Sequence, residues 1–395
     1  MIRTRDFLVI LPMFLAAGAL LVVLARAVLP RWWADARRRV LLLAVPVLDA
    51  LLPSLWFALH RVGQSDAADG LVTAQLLLMA GQLGAGGLLV VAAGWRSWRR
   101  GARPSPRRRG RRRFLVQGAA LAVPAVAVAA GAGGVAEAAG PVRLRRRVLR
   151  PPGLPPALRG LRILHLSDVH LWHLVTVDDL ERALAAAPRG QYDLVCVTGD
   201  LADDMSQLPR GLELIDALDA PLGAFACLGN HEHSRDLPGA LAAYAASPVQ
   251  LLRGAGRLLW WRDAPVAIAG IDDLRSRPRT RQSVFYPDQL RRALGPLAPE
   301  AFTILLSHRP SVLPHAAAAG VDVVLAGHTH GGQAAIAGRS ILEIQGSAPW
   351  AWGVYRHQGC VMHVTSGLGQ WFPVRLGCPP EMVLLELQDD RRPPA

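Results

Sequence analysis

Leu161-Arg162-Ile163-Leu164-His165-Leu166-Ser167-Asp168-Val169-His170 is a short apolar run that stops at an Asp-x-His triplet. The run predicts a strand over Leu161–Ser167, and the polar residues at its end suit metal ligation. The same grammar recurs downstream. Asp193–Thr198 leads into Gly199-Asp200, and Ala224–Leu228 into Gly229-Asn230-His231-Glu232. Thr303–Leu306 leads into Ser307-His308, and Asp322–Ala326 into Gly327-His328-Thr329-His330. Helical stretches separate these strands, so the region reads as α/β. Open α/β sheets gather ligands at the C-terminal ends of strands, which brings the five strand ends to one rim.

The donor set has a definite chemistry. Asp and Asn oxygens with His nitrogens suit borderline divalent metals such as Mn, Fe or Zn. No thiolate is among them, which excludes a structural zinc finger. Asp168, His170, Asp200, Asn230, His308, His328 and His330 are too many for one ion with an open position, and they suit two ions sharing a carboxylate. Two such ions can activate a water and stabilise both oxygens of an in-line displacement. The glycines before Asp200, Asn230 and His328 are expected to let the backbone turn sharply.

In this order, Asp168-x-His170, Gly199-Asp200, Gly229-Asn230-His231-Glu232, His308 and Gly327-His328-Thr329-His330 resemble the motif set of the calcineurin-like metallophosphoesterases. The resemblance spans roughly residues 160–390. GHTHGGQ (327–333) and SGLG…VRLGCPPE (366–381) look like the bacterial membrane- or envelope-associated subgroup. It implies a sandwich of two β-sheets flanked by helices. It also implies that Asp168, His170 and His330 hold one metal, that Asn230, His308 and His328 hold the other, and that Asp200 bridges them. His231 would lie near the phosphate, protonating the leaving group or stabilising the transition state. Arg309 departs from the pattern, where a smaller polar residue such as Asn is expected. A guanidinium there fits a substrate phosphate or a surface charge equally well.

Several neighbours stay open on sequence alone. His165 reads as core or as support for a ligand. His173 and His233 read as structural or pocket-lining. Asp203 and Asp204 fit either the orientation of a ligand His or a helix cap. Glu232 fits a supporting role or a surface acid. Trp350, Trp352 and Trp371 fit core packing or an apolar rim. His315, His357 and His363 have no motif support. Cys196 and Cys227 suit buried thiols, and a Cys360–Cys378 disulfide is conceivable.

Charge divides the chain. Residues 1–150 hold 23 of the 44 basic residues and 6 of the 30 acidic ones, a net of +17, against −3 for residues 151–395. The overall +14 therefore belongs to the first part, where arginines flank four apolar stretches at 7–29, 40–60, 71–95 and 114–134. Each approaches the ~20 residues needed to cross a bilayer, and none shows a polar face. Arginine flanks of membrane spans explain the charge better than a nucleic-acid partner. The arginine-rich first and third connections predict a cytoplasmic side, which delivers the later domain to the external, periplasmic side. Arg143, Arg145, Arg146, Arg147 and Arg150 oppose that placement. Arg111-Arg112-Arg113-Phe114-Leu115 supports it, because it resembles a twin-arginine export signal.

The expected organisation is a membrane region of about four transmembrane helices over 1–140, a basic Pro-rich linker over 141–158 and an enzyme over 159–390. The expected activity is hydrolysis of a phosphomonoester or phosphodiester with two divalent metals. The substrate would be lipid-linked or envelope-derived, with membrane lipids as surroundings. The competing reading is a catalytically silent metal-binding scaffold or membrane adaptor of the same fold. No ligand is missing, which argues against it.

Overall fold

The computed structural model describes residues 133–389, apart from 135, 173, 275–278, 299 and 371–373, and isolated positions between 22 and 55. The chain divides into two compact units, Met1–Gly133 and Gly134–Ala395, and the second carries everything that follows. The four apolar stretches and the Arg111–Leu115 motif lie outside the described residues except at scattered positions. No helix among the described residues is long and apolar enough to cross a membrane.

Two six-stranded sheets build the second unit, with a small antiparallel pair of β10 (Ala335–Ile336) and β11 (Arg339–Ser340). The first runs in the order β1 (Arg143–Leu149), β14 (Glu381–Leu387), β2 (Arg162–Leu166), β3 (Leu194–Thr198), β4 (Ala224–Cys227), β5 (Gln250–Leu251). The second runs β12 (Gly353–His357), β13 (Cys360–Val364), β9 (Val323–Ala326), β8 (Phe302–Leu306), β7 (Ala264–Gly270), β6 (Ala255–Trp261). β2, β3 and β4 are parallel, as are β7, β8 and β9. Helices Val177–Ala185, Leu208–Asp216, Leu237–Ala245, Arg279–Leu294 and Leu313–Ala318 complete the unit with shorter turns.

The central strands β3, β4, β8 and β9 are buried along their whole length and largely apolar because both faces are covered. In β3, Leu194 and Cys196 face the other sheet, while Val195 and Val197 join the core that includes Leu180, Leu184, Leu208 and Leu212 from the helices. In β8, Phe302, Ile304 and Leu306 face inward and Leu305 faces outward. This two-residue alternation sends consecutive side chains into different cores. The chain then stops being apolar at the strand ends, where the polar triplets begin.

Three expectations need correction. The ligand-bearing ends do not belong to one open sheet: β2, β3 and β4 supply three from one sheet, and β8 and β9 supply two from the other. The stretch expected as a linker over 141–158 contains β1, which pairs in parallel with β14 from Arg143↔Glu381 to Leu149↔Leu387. Arg145 Nε lies 2.9 Å from the buried Glu381 Oε2, close enough for ion pairing. Arg146 donates to Gln191 Oε1 at 2.7 Å. These arginines therefore fasten an edge strand. Finally, Cys360 and Cys378 are free thiols, as are Cys196 and Cys227, and all four are buried.

Candidate metal centre

The strand ends bring the seven predicted donors together in two groups. In one, His170 Nε2 lies 3.0 Å from His330 Nε2 and 3.8 Å from Asp200 Oδ2, and His330 Nε2 lies 3.3 Å from Asp168 Oδ1. In the other, His308 Nε2 lies 3.2 Å from Asp200 Oδ2, 3.3 Å from Asn230 Oδ1 and 3.0 Å from His328 Nδ1. Asp200 Oδ2 belongs to both. Asp168, His170 and His330 form one donor trio, and Asp200, His308 and His328 another. His170, Asp200 and His231 form a third.

The donors fit divalent cations on their own chemistry. Two imidazole nitrogens 3.0 Å apart satisfy each other only with a proton or a cation between them, and this occurs at both groups. Carboxylate and carboxamide oxygens complete each set, and their mixture with imidazole matches Mn, Fe or Zn.

The backbone is bent to achieve this. Asp168, His170, Asp200, His328 and His330 all have positive φ, between 49° and 71°. Non-glycine residues rarely occupy this region, and such strain persists where surrounding structure enforces it. The preceding glycines serve two purposes. Gly199 has φ 82°, as expected for a sharp turn. Gly229 has φ −102°, a value any residue adopts. A Cβ there would sit 2.1 Å from Asp200 Oδ1, and one at Gly327 would sit 2.1 Å from Asp168 Oδ2. Close approach, not turning, requires glycine at those two positions.

Buried acids hold the loops in place. Glu232 accepts from the backbone N–H of Gly229 (2.8 Å), Asp200 (3.1 Å) and Leu201 (2.6 Å). Burial and the neighbouring Asp200 push its carboxyl upward against those bonds. Asp203 Oδ1 meets the Nδ1 of His231 and lies 3.4 Å from His170 Nδ1. It orients both rings, as a carboxylate behind a ligand imidazole does. Asp204 instead caps its own turn through Ser206 and Gln207.

Charge is balanced across the centre. Burial opposes ionisation of Asp200, but His308, His231 and His170 hold its carboxyl well below the usual range. Burial lowers His231, yet Asp200 and Asp203 outweigh it and raise the imidazole to about 9. Burial, then Arg309 and His308, drive His328 well below its ordinary value.

Comparison with known proteins agrees with this geometry. The family described as calcineurin-like phosphoesterase matches residues 161–332. An uncharacterized metallophosphoesterase of Aquifex aeolicus is 30% identical over 254 residues, 62% of this chain and 92% of that relative. The chain belongs to the calcineurin-like phosphoesterases. It is thus a metal-dependent hydrolase of phosphoesters by family. A transmembrane protein with metallophosphoesterase domain from Danio rerio is 29% identical, over 60% of this chain and 55% of that protein. The UDP-2,3-diacylglucosamine pyrophosphatase LpxG of Chlamydia trachomatis is 26% identical, over 58% of this chain and 84% of that enzyme.

Other residues of this phosphoesterase fall into place around the centre. Arg309 is not a loose surface charge. Its Nε donates to Asp273 Oδ2 at 2.7 Å, and its terminal nitrogens reach His328 Nε2 at 2.7 Å and Asn230 Oδ1 at 3.1 Å. His233 Nε2 meets Asp272 Oδ1 at 2.6 Å, and Arg253 binds the same carboxylate. Asp272 and Asp273 escaped the sequence reading. They follow β7 as Gly270-Ile271-Asp272-Asp273, the same strand-then-acid signal as the five ends that were singled out. His165 is buried, with Nδ1 3.0 Å from His363 Nδ1 and Nε2 2.9 Å from Thr198 Oγ1. Trp352 is buried and donates to Glu381 Oε1 at 2.9 Å. Trp350 packs on the core outside the second sheet. His173 and Trp371 lie outside the described residues.

Proposed function

We propose that this phosphoesterase is a membrane-anchored phosphohydrolase that uses two divalent ions to cleave a phosphomonoester or phosphodiester. The observation that carries the reading is the pair of donor groups sharing Asp200 Oδ2. Asp168, His170 and His330 would hold one ion and Asn230, His308 and His328 the other, with Asp200 between them. When bound, such a pair supplies Lewis-acid activation of water and of the phosphoryl oxygens. His231, oriented by Asp203 and partly exposed, is placed to donate a proton to the leaving oxygen.

Membrane anchoring rests on the apolar stretches over 7–29, 40–60, 71–95 and 114–134 and on relatives such as the transmembrane protein of Danio rerio. We place the catalytic unit on the external, periplasmic side. The fastening of Arg145 to Glu381 supports this, because it gives the basic run after the last stretch a folding role. A lipid-linked or envelope-derived phosphoester is the proposed substrate class, in line with the UDP-2,3-diacylglucosamine after which the Chlamydia trachomatis pyrophosphatase LpxG is named.

The full chain in detergent with Mn²⁺ should hydrolyse p-nitrophenyl phosphate or bis-p-nitrophenyl phosphate. Asp200→Ala should lower turnover at least ~100-fold, on the scale of removing a central electrostatic stabiliser. Undiminished turnover in that variant would overturn the proposal.

A further inference from the structure

Arg309 occupies a position that the metal ligands alone do not explain. Asp273, whose side chain is fully buried, grips the guanidinium through two oxygens at 2.7 and 3.3 Å. About 20% of the Arg309 side chain remains exposed. Its Nη1 meets His328 Nε2 of the second group at 2.7 Å, and Nη2, which Asp273 also holds, donates to Asn230 Oδ1 at 3.1 Å.

Hydrogen-bond inventory fixes where the proton on His328 sits. A guanidinium only donates, so His328 Nε2 must accept from it. The proton of a neutral His328 ring then sits on Nδ1, the nitrogen 3.0 Å from His308 Nε2. Holding a cation through Nδ1 requires a lone pair there, which moves the proton to Nε2. Two donors would then face each other at the distance now occupied by a hydrogen bond. The Arg309 terminal nitrogen must leave His328, while Asp273 keeps the rest of the group in place. Asn230 Oδ1 has two lone pairs and can serve Arg309 and a cation together.

We propose that Arg309 is the substrate-phosphate contact of this centre, steered by Asp273 and released from His328 when the second metal position fills. The freed N–H is charged and sits beside that position. A phosphoryl oxyanion presents the matching acceptors, and planar guanidinium suits it better than an ammonium. Asp273 is a positioning residue, since it acts only through Arg309. The inference rests on the two-metal reading above.

The test uses the full chain and two probes, Mn²⁺ alone and inorganic phosphate. Mn²⁺ affinity is measured by titration calorimetry, and phosphate affinity as competitive inhibition of ester cleavage by the Mn²⁺-loaded protein. Arg309→Gln should weaken phosphate inhibition about 10- to 100-fold, the range of one hydrogen bond to a charged group. Mn²⁺ affinity should stay equal or tighten, because a competing cation has been removed. Arg309→Lys should recover part of the phosphate affinity. Arg309→Gln strands the Asp273 carboxylate, so the double variant Asp273→Asn/Arg309→Gln guards against misfolding and should behave like the single one. Asp273→Asn should raise KM more than it lowers kcat. The inference is overturned if both Gln-bearing variants keep phosphate inhibition within twofold of wild type. It is equally overturned if both lose Mn²⁺ affinity tenfold, which would make Arg309 a support for the ligands. Wild type that binds no Mn²⁺ would instead sink the two-metal reading itself.

Discussion

At the scale of single residues, the centre is defined by how closely backbone approaches carboxylate. Gly229 and Gly327 leave no room for a methyl group beside Asp200 and Asp168. Gly327→Ala would press on Asp168 Oδ2 and Ser167 Oγ, each 2.1 Å from the new Cβ. We expect Mn²⁺ affinity to fall by at least ~10-fold in that variant, because a misplaced ligand oxygen loses its share of coordination. Calorimetric titration checks this, and wild-type affinity would contradict it. The sequence reading placed these glycines correctly and explained two of the three wrongly. It assumed a turn, which holds at Gly199 with its positive φ. The constraint at the other two is a contact with a residue distant in the chain, and spacing along one strand does not reveal it. Asp203 and Asp204 make the same point. Both looked alike in sequence, yet one orients His231 and the other caps a turn.

At the scale of elements, the five strands that end in candidate ligands were legible because each is buried on both faces. A run such as Leu194–Thr198 has no polar face to blur it, so its end is sharp. β1 obeys the opposite rule. It is an edge strand with arginines on its exposed positions, and by composition it resembles a linker. Its partner strand β14 lies at the far end of the domain. Glu381 at the start of β14 binds this edge into the fold. Its Oε1 accepts from Trp352 Nε1, Thr365 Oγ1 and the Ser366 N–H, and its Oε2 faces Arg145. Removing one partner of a buried pair leaves the others unsatisfied, at a cost of about 3–5 kcal/mol. Glu381→Ala should therefore lower the unfolding free energy of the catalytic unit, measured by urea titration, by that amount. A change below about 1 kcal/mol would show that the edge is held by its backbone ladder alone.

At the scale of the whole molecule, the catalytic unit depends on two sheets meeting face to face. His165 on β2 and His363 on β13 touch across that interface. Burial pushes His165 down to about 3, with Asp168 opposing only in part. Burial, then His165 and Arg147, hold His363 well below its ordinary value of 6.5. Both rings thus stay neutral in the folded state, while an unfolded His takes a proton near pH 6.5. The unfolded chain binds more protons as pH falls from about 6.5 toward 3, so stability is complete above pH 6.5 and is lost below it. His231, which Asp200 and Asp203 raise to about 9 against burial, and His308, which Asp200 raises to about 10 against burial, stabilise the fold fully below pH 6.5. They lose that contribution only as pH rises through those values, so they do not mask this window. Urea midpoints between pH 6.5 and 4.5 should fall with acidity, and His165→Leu/His363→Leu should flatten the slope. An unchanged slope would assign the acid sensitivity elsewhere. Neither histidine was singled out in sequence as part of a pair, because nothing in one strand predicts its partner in the other sheet.

The central claim is that scattered strand ends form one centre for two ions around Asp200. Metal content per chain, measured by mass spectrometry after Mn²⁺ loading and dialysis, tests it most directly. The account predicts two ions per wild-type chain and a loss of at least one in Asp200→Ala. A single ion in wild type, or two retained in Asp200→Ala, would contradict it.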